Sequence, residues 1–461
     1  MGFPTKCFLT NRKLPLALIA VFGATTLALC ASSLAGVGGG GFVGRSVGGV
    51  VVDANGVIRS ASVDERNQTL SVMRQTLREA KGEVAEAAEI RMISLAKLQA
   101  AIAESEQSGA ALPDEIRYLA GLQRIEYVFV YPEHNDIVIA GPAEPWVLRD
   151  DASVVGVKSG RPVVTLDDLV VAFRSVEPAR TEGITCSIEP TAEGRQRLQN
   201  LLKRVTLRPG QDPRGFEPAM REAFGPQLIK LTGVPGDSHY ARTLVAADYQ
   251  MKRIAMALEE APVEGLPSYL AIAKGQRHSA QANPRWWMAC NYDAMSRTED
   301  KLAWKLSGQG VKTLTDNDLI TKAGEAVPAN QIDPLAQKWA DTMTERFDAL
   351  AQAQAVFGEL RNCIDLSVVA TLVVQERLAE RAGCDLSLLM GSVDVEKYRI
   401  PKSVEPQCSF VRGRSGWVVT ASGGVDVNAF EVVANQKTTP ELAEIREAKT
   451  ASDSTRWWWN G

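Results

Sequence analysis

Histidine is the scarcest chemically versatile residue in this chain: three in 461 residues, His134, His239 and His278. That scarcity argues against a histidine-rich metal centre, which takes two or three imidazoles to itself. Cysteine is nearly as sparse. Seven are present and no two stand in a Cys-x-x-Cys spacing, so no zinc pattern exists. No Gly-x-x-x-x-Gly-Lys-Ser/Thr occurs, which removes the phosphate-binding loop. Gly39-Gly40-Gly41 precedes no βαβ pattern that would hold a dinucleotide. Neither a metal nor a cofactor is implied. A dominant charge is lacking too: 51 Lys and Arg against 55 Asp and Glu leave a formal −4. Without basic clustering, nucleic acid is not an expected partner.

What is there begins with an export pattern. A basic start ends at Arg12-Lys13, an apolar stretch runs from Leu14 to Leu29, and Ser33-Leu34-Ala35 is a small-x-small cleavage site. Removing residues 1–35 takes away Lys6, Arg12 and Lys13 and no acid, moving the formal charge from −4 to −7. The stretch Leu27-Ala28-Leu29-Cys30 approximates a lipoprotein box, but Leu29 is large for the position before a modified cysteine. Cleaved export is the preferred reading, with a lipid anchor or a retained anchor helix as alternatives. Past the signal no transmembrane span is expected: Leu366 to Val374 is nine residues long, and a span needs about twenty. It reads as a buried core helix. Cys186, Cys290, Cys363, Cys384 and Cys408 remain in the mature chain. Export permits disulfides, the odd count leaves a free thiol or an intermolecular bond, and buried structural cysteines are the plain alternative.

Texture divides the chain into a signal peptide (1–35), a Gly-rich leader with a small hairpin (36–62) and a helical segment (63–122). A first α+β region (123–210), a central α+β region (211–330) and a long helical region (331–392) follow. A C-terminal β region (393–440) and a Trp-ending tail (441–461) close it. Val50–Val52 and Val57-Ile58 flank Asn55-Gly56, a hairpin signal. Ile90, Ile93, Leu95 and Leu98 continue an apolar series that predicts helix from about Asp64 to Gln107. Tyr127–Tyr131, Asp136–Ala140, Trp146–Leu148 and Val154–Val157 are strands, whose short connections favour an antiparallel meander. Thr165 caps a helix whose first turn holds Asp167 and Asp168; placing acids there suits the helix dipole, a structural explanation preferred to acid–base catalysis. A second antiparallel sheet is expected from Trp286–Tyr292, Leu302–Leu306 and Val311–Leu314. A break in the long helical region is expected near Gly358, a cap at Gly383 and a turn at Gly423-Gly424. The expected class is therefore α+β, with antiparallel sheet regions packed against amphipathic helices and a long helical segment before a C-terminal β region.

The central feature is LIKLTGVPGDSHYARTLVAADYQMKRIAMALEE, residues 228–260. Asp237 and Ser238 are candidate N-caps for a helix to about Leu258. Tyr240, Leu244, Ala247, Met251 and Ile254 recur at helical spacing, and Arg242, Lys252 and Arg253 fall off that stripe. Asp248 and Lys252 form an i,i+4 pair. Gly236-Asp237-Ser238-His239 also resembles the nucleophile block of one class of secreted esterases. The partner motif is missing, because His278 has no aspartate three residues before it. Ser238, His239 and Asp248 are thus weak catalytic candidates, and a helix cap is the preferred role for Ser238. Gly413-Arg414-Ser415-Gly416 lacks the last glycine of a nucleophile elbow, since Trp417 stands there. Trp286 and Trp287 alternate faces of one strand, as core or as a sugar platform. Trp457-Trp458-Trp459 reads as a tail docked on the body or as an interfacial, partner-binding tag.

Several segments carry a resemblance. Tyr127-Val128-Phe129-Val130-Tyr131-Pro132-Glu133, the run from Asp136 to Trp146, Gly160-Arg161-Pro162-Val163, Cys186-Ser187-Ile188-Glu189-Pro190-Thr191, the run from Ala246 to Arg253, and Pro284-Arg285-Trp286-Trp287-Met288 are the segments concerned. On these the chain resembles an exported bacterial family typical of planctomycetes, the domain of unknown function 1598, over roughly Gly121 to Asp426. The resemblance implies export and one integrated architecture, and brings no activity, cofactor or catalytic residue. With no complete catalytic signature, the expected function is a non-catalytic binding or structural protein of the cell envelope, partnered by an envelope protein or a glycan. The alternatives are an unfamiliar hydrolase using the Asp237-Ser238-His239 region and a carbohydrate binder using Trp286 and Trp287.

Overall fold

Short strands drawn from distant parts of the chain assemble into two large mixed sheets with the helices packed among them. The structure is a computed structural model; it describes residues 45–205, 213–274, 282–320, 326–328, 333–391, 393–407, 409, 411–412, 417–418, 422–449 and 456–461. Gly40–Gly461 forms one compact unit, and the fold is α+β. In the nine-stranded sheet the order is Val50–Val52, Val57–Ser60, Ser403–Val404, Gln227–Thr232, Ile184–Pro190, Ser422–Val427, Ala282–Asn291, Gly310–Ile320 and Ala326–Pro328. The seven-stranded sheet runs Gln436–Thr438, Met295–Arg297, Ala303–Lys305, Tyr127–Tyr131, Asp136–Ala143, Ala88–Ser94 and Trp458–Asn460. Most neighbours are antiparallel; Ser422–Val427 runs parallel to Ala282–Asn291.

Residue alternation explains how the seven-stranded sheet is covered on both sides. Val128, Val130, Ile137, Ile139 and Ile93 face the main core. Tyr127, Phe129, Tyr131, Val138 and Met92 face a second cluster with Leu442, where Ile445 also packs. Successive side chains of a strand point to opposite faces, so the Leu442–Ala448 helix seals the second face. The main core takes in Val50, Ile58, Ile188, Trp286 and Val425 of the other sheet. Between lie three helices: Leu166–Glu182, His239–Ala255 and Ala355–Gln375. In the last of these, 18 of 21 residues are buried, which is why its sequence is apolar on nearly every face. Among the described residues no helix is long and apolar enough to cross a membrane.

Several expectations hold. The hairpin pairs Val52 with Ile58. Ser238 caps the His239–Ala255 helix, its side chain accepting from the Ala241 N–H at 3.0 Å. Leu244, Met251 and Ile254 are buried in one core. Gly383 takes the left-handed conformation at φ 67° after Leu378–Ala382.

Others need correction. The helix expected from Asp64 to Gln107 is interrupted: Val63–Thr76 and Leu95–Ser108 are helical, but Ala88–Ser94 is a strand between two others. Its Ile90, Met92 and Ile93 serve two sheet faces rather than one helical stripe. Ala303–Lys305 joins Tyr127–Tyr131 in the seven-stranded sheet instead of extending the Trp286 sheet. The long helical region breaks at Arg346 and Gln354, not at Gly358. Gly358 lies inside a helix because a Cβ there would come 2.6 Å from Pro162 Cδ. Gly423-Gly424 is no turn; both lie within a strand, and a Cβ on Gly423 would meet the Trp286 carbonyl oxygen at 1.6 Å. Arg242 and Lys252, outside the expected apolar stripe, are both buried.

Candidate functional site

A cleft of about 310 Å³ opens beside the N-terminus of the His239–Ala255 helix. Its walls include Arg45–Gly49, the start of Leu166–Glu182, the first turns of Ala355–Gln375, Arg117 and the Glu396 to Tyr398 segment. The volume suits a small ligand. His239 stands at its centre because Ser238 starts the helix and orients the next residue. Its Nδ1 lies 2.9 Å from Asp168 Oδ2 and 3.1 Å from Oδ1. Asp168 is held in turn by the Thr165 hydroxyl, which donates at 2.8 Å. Burial disfavours a charged imidazole, but Asp168 outweighs it and pushes His239 up to about 9. The ring is therefore an imidazolium at neutral pH.

Two neighbouring carboxyls behave differently. Burial, reinforced by the Glu396 charge, pushes Asp167 up to about 6. Asp167 Oδ2 accepts the Glu396 backbone N–H at 3.1 Å. Burial also pushes Glu359 up to about 7, against the pull of His239. Glu396 itself would be raised by burial, but Arg45 and Arg117 hold it below the usual carboxylate range. Arg45 pairs with one Glu396 oxygen and Arg117 reaches the other at 2.7 Å. The Tyr398 hydroxyl donates to Glu396 at 3.1 Å, and its ring centre lies 5.8 Å from that of His239. The Tyr398 N–H donates to the Asp237 carbonyl at 2.7 Å, tying this segment to the helix start.

Of the residues singled out in sequence, His239 lines the cleft while Asp237, Ser238 and Asp248 do not. Ser238 is buried and both its hydrogen-bonding roles are used: it accepts from Ala241 and donates to the Pro235 carbonyl at 2.7 Å. His239 turns instead to a carboxylate 71 residues away. Asp248 is wholly buried with Lys252, whose amine also donates to the Ile188 and Gly423 carbonyls. Burial pushes the Asp248 carboxyl up to about 6, opposed by Lys252.

The tryptophan platform does not form at Trp286. Its ring is buried between Tyr269 and Trp339, at 4.9 and 4.8 Å between centres, and its Nε1 donates to the Ala336 carbonyl. Trp287, on the opposite face, is half-buried. The Trp457-Trp458-Trp459 tail is no free tag. Trp458–Asn460 pairs with Ala88–Ser94 as an edge strand. Trp457 and Trp458 enter the main core, and Trp459 packs on the second cluster across the sheet. Arg91 stacks on the Trp458 ring at 4.8 Å. Cys186, Cys290, Cys363 and Cys384 are free thiols, Cys290 half-buried and the others buried. Cys408, His278, residues 1–35 and residues 413–416 lie outside the described residues. Among the described residues no three His, Cys, Asp or Glu side chains converge to hold a metal ion.

Glu359, Glu396 and Tyr398 were not candidates in the sequence, and an acid–base role for Asp167 and Asp168 was weighed there and set aside. The one local signal was Glu359, one of two carboxylates, with Asp365, inside a largely apolar helix. Asp167 and Asp168 had a sufficient explanation as first-turn acids.

Residues 186–269 match a family model described as a protein of unknown function, DUF1598. The matched stretch is narrower than the resemblance from Gly121 to Asp426 implied. No curated protein and no solved structure matches the chain. The DUF1598 stretch supplies His239, Gln250 and Glu259 to the cleft, and Asp167, Asp168, Glu359 and Glu396 come from outside it.

Proposed function

We propose that this is an exported cell-envelope protein that binds a small polar ligand in the His239 cleft. The basic, apolar and small-x-small succession over residues 1–35 supports export. One observation carries the binding reading. Ser46 Oγ, Gln250 Oε1, Gln354 Oε1 and Glu359 Oε2 are buried without a hydrogen-bond partner, and all four residues line this cleft. Leaving a buried polar atom unsatisfied costs about 1–3 kcal/mol. Gathering four around one cavity favours a ligand, or ordered water awaiting one, that completes them. An envelope component or a glycan fragment presenting polar groups is the partner class.

Thermal-shift screening of the full chain against small polar metabolites tests the reading. A stabilising compound should lose its effect in His239→Gln. A compound that stabilises both proteins equally binds elsewhere, and the cleft is then not the site. Cell fractionation with N-terminal sequencing tests export; intact Met1 in a cytoplasmic fraction would contradict it.

A second reading is favoured by a specific observation. Asp167 and Glu359 titrate near 6 and 7, the range in which a carboxyl serves as general acid or base. In that reading the hydrolase alternative moves from Ser238 to the cleft, with His239 stabilising negative charge. A turnover lost in Glu359→Gln but kept in Ser238→Ala would select it.

A further inference from the structure

Two of the carboxyls around His239 have no cation paired with them, although Arg66 also lines the cleft. Arg45 and Arg117 are both committed to Glu396. The His239 imidazolium is committed to Asp168. Asp167 and Glu359 are left with no ion pair among the described residues, and Asp167 is stabilised by a single backbone N–H. The unpartnered atoms have the same polarity. Gln250 is 4% exposed, its amide nitrogen donates to the Gly48 carbonyl at 3.2 Å, and its oxygen is left over. Gln354 Oε1 and Glu359 Oε2 are likewise acceptors with no donor, and the Ser46 hydroxyl can accept as well.

Resting on the reading of the cleft as a ligand site, we propose that its ligand is a small organic cation presenting an ammonium or guanidinium group to Glu359, Gln354 and Gln250. Such a group is donor-only, with three protons on an ammonium and five on a substituted guanidinium. It matches a wall of acceptors and places a positive charge beside two unpaired carboxyls in one step. A polyol would satisfy the oxygens but leave the carboxyls uncompensated, and a burial cost remains for any charge without a partner. A bare metal ion fits less well, since no three ionisable ligands converge among the described residues. Burial pushes the Glu359 carboxyl up against the pull of His239, and a cation bound beside it would bring it down.

Calorimetric titration of the full chain with agmatine, 1,4-butanediol and succinate tests the class. These share a four-carbon frame and differ in carrying cationic, neutral or anionic ends. Agmatine is expected to bind saturably and the other two not at all. Glu359→Gln, nearly isosteric, is expected to weaken agmatine about tenfold or more, as losing a charge-assisted hydrogen bond does. Gln354→Glu adds a carboxylate at the same wall and is expected to tighten agmatine, which keeps the test decisive if Glu359→Gln folds poorly. Binding of succinate or butanediol in preference to agmatine, weakened by His239→Gln, overturns the cation and leaves the cleft reading standing. If none of the three binds or shifts the His239 imidazole resonance, both readings fall.

Discussion

Two of the ion pairs on the His239–Ala255 helix differ in their surroundings. In its last turn, Lys252 sits 2.9 Å from Asp248 Oδ2, 3.0 Å from the Ile188 carbonyl and 3.1 Å from that of Gly423. All three ammonium protons are used, the Lys252 and Asp248 side chains are 6% and 0% exposed, and two strands are pinned to the helix. At its first residue, His239 meets Asp168 across 71 residues of sequence, beside a cleft rimmed by unpartnered oxygens and two unpaired carboxyls. The first pair leaves Asp248 Oδ1 without a partner but stands apart from the cleft, and its bonds to two strand carbonyls hold the sheet. The second has neighbouring groups that the protein does not satisfy and space for something that would. Charge burial alone does not mark a site; unsatisfied groups around accessible volume do.

This contrast can be broken in three ways, taken from the largest expected effect. Asp248→Ala leaves Lys252 charged and buried without its anion, and should cost about 3–5 kcal/mol in denaturant unfolding. Loss of less than about 1 kcal/mol would show that the interior pair is dispensable. Next is the pH dependence of the His239 pair. Its pKa rises from 6.5 unfolded to about 9 folded, so its contribution is complete below pH 6.5 and lost as pH climbs through 9. The contribution is about 3 kcal/mol at most. Asp167 and Glu359, also raised, act in the same direction at lower pH, losing stability as pH climbs towards 6 and 7. His239→Gln should flatten the alkaline limb of a Tm-against-pH curve while leaving the acid limb. Smallest is Ser238→Ala, which removes a cap and should cost about 1 kcal/mol of stability, with agmatine affinity unchanged. A changed affinity would return Ser238 to the site.

Local features were legible in the sequence and distant convergence was not. The Ser238 cap, the Asn55-Gly56 hairpin, the helix from Thr165 and the Gly383 cap each rest on a few adjacent residues, and each forms. The strand Ala88–Ser94 was missed because Ile90 and Ile93 suit a helical spacing as well as a strand buried on both faces. Only its neighbours Asp136–Ala143 and Trp458–Asn460 decide between them. The tryptophan tail was half legible: three large rings had to go somewhere, and pairing with Ala88–Ser94 distributes them to two faces. Within the candidate site, His239 was noted for the wrong partner. Its adjacency to Ser238 was visible, while its approach to Asp168 depends on packing the Leu166–Glu182 and His239–Ala255 helices together. The burial of Lys252, off the apolar stripe, was not legible, since periodicity reports which face is apolar and not whether the other face is also covered.

The central claim is that the His239 cleft, and not the Ser238 cap or the Asp248 interior, is the working part of the molecule. The scarcity of histidine makes it directly measurable, because only three imidazoles give signals. A proton NMR titration of the full chain, with His239→Gln to assign the resonance, should place His239 near pH 9. Asp168→Asn should lower it, and a bound cleft ligand should shift the resonance. A His239 signal titrating at the ordinary 6.5, indifferent to Asp168→Asn and to every cleft ligand, would contradict the account.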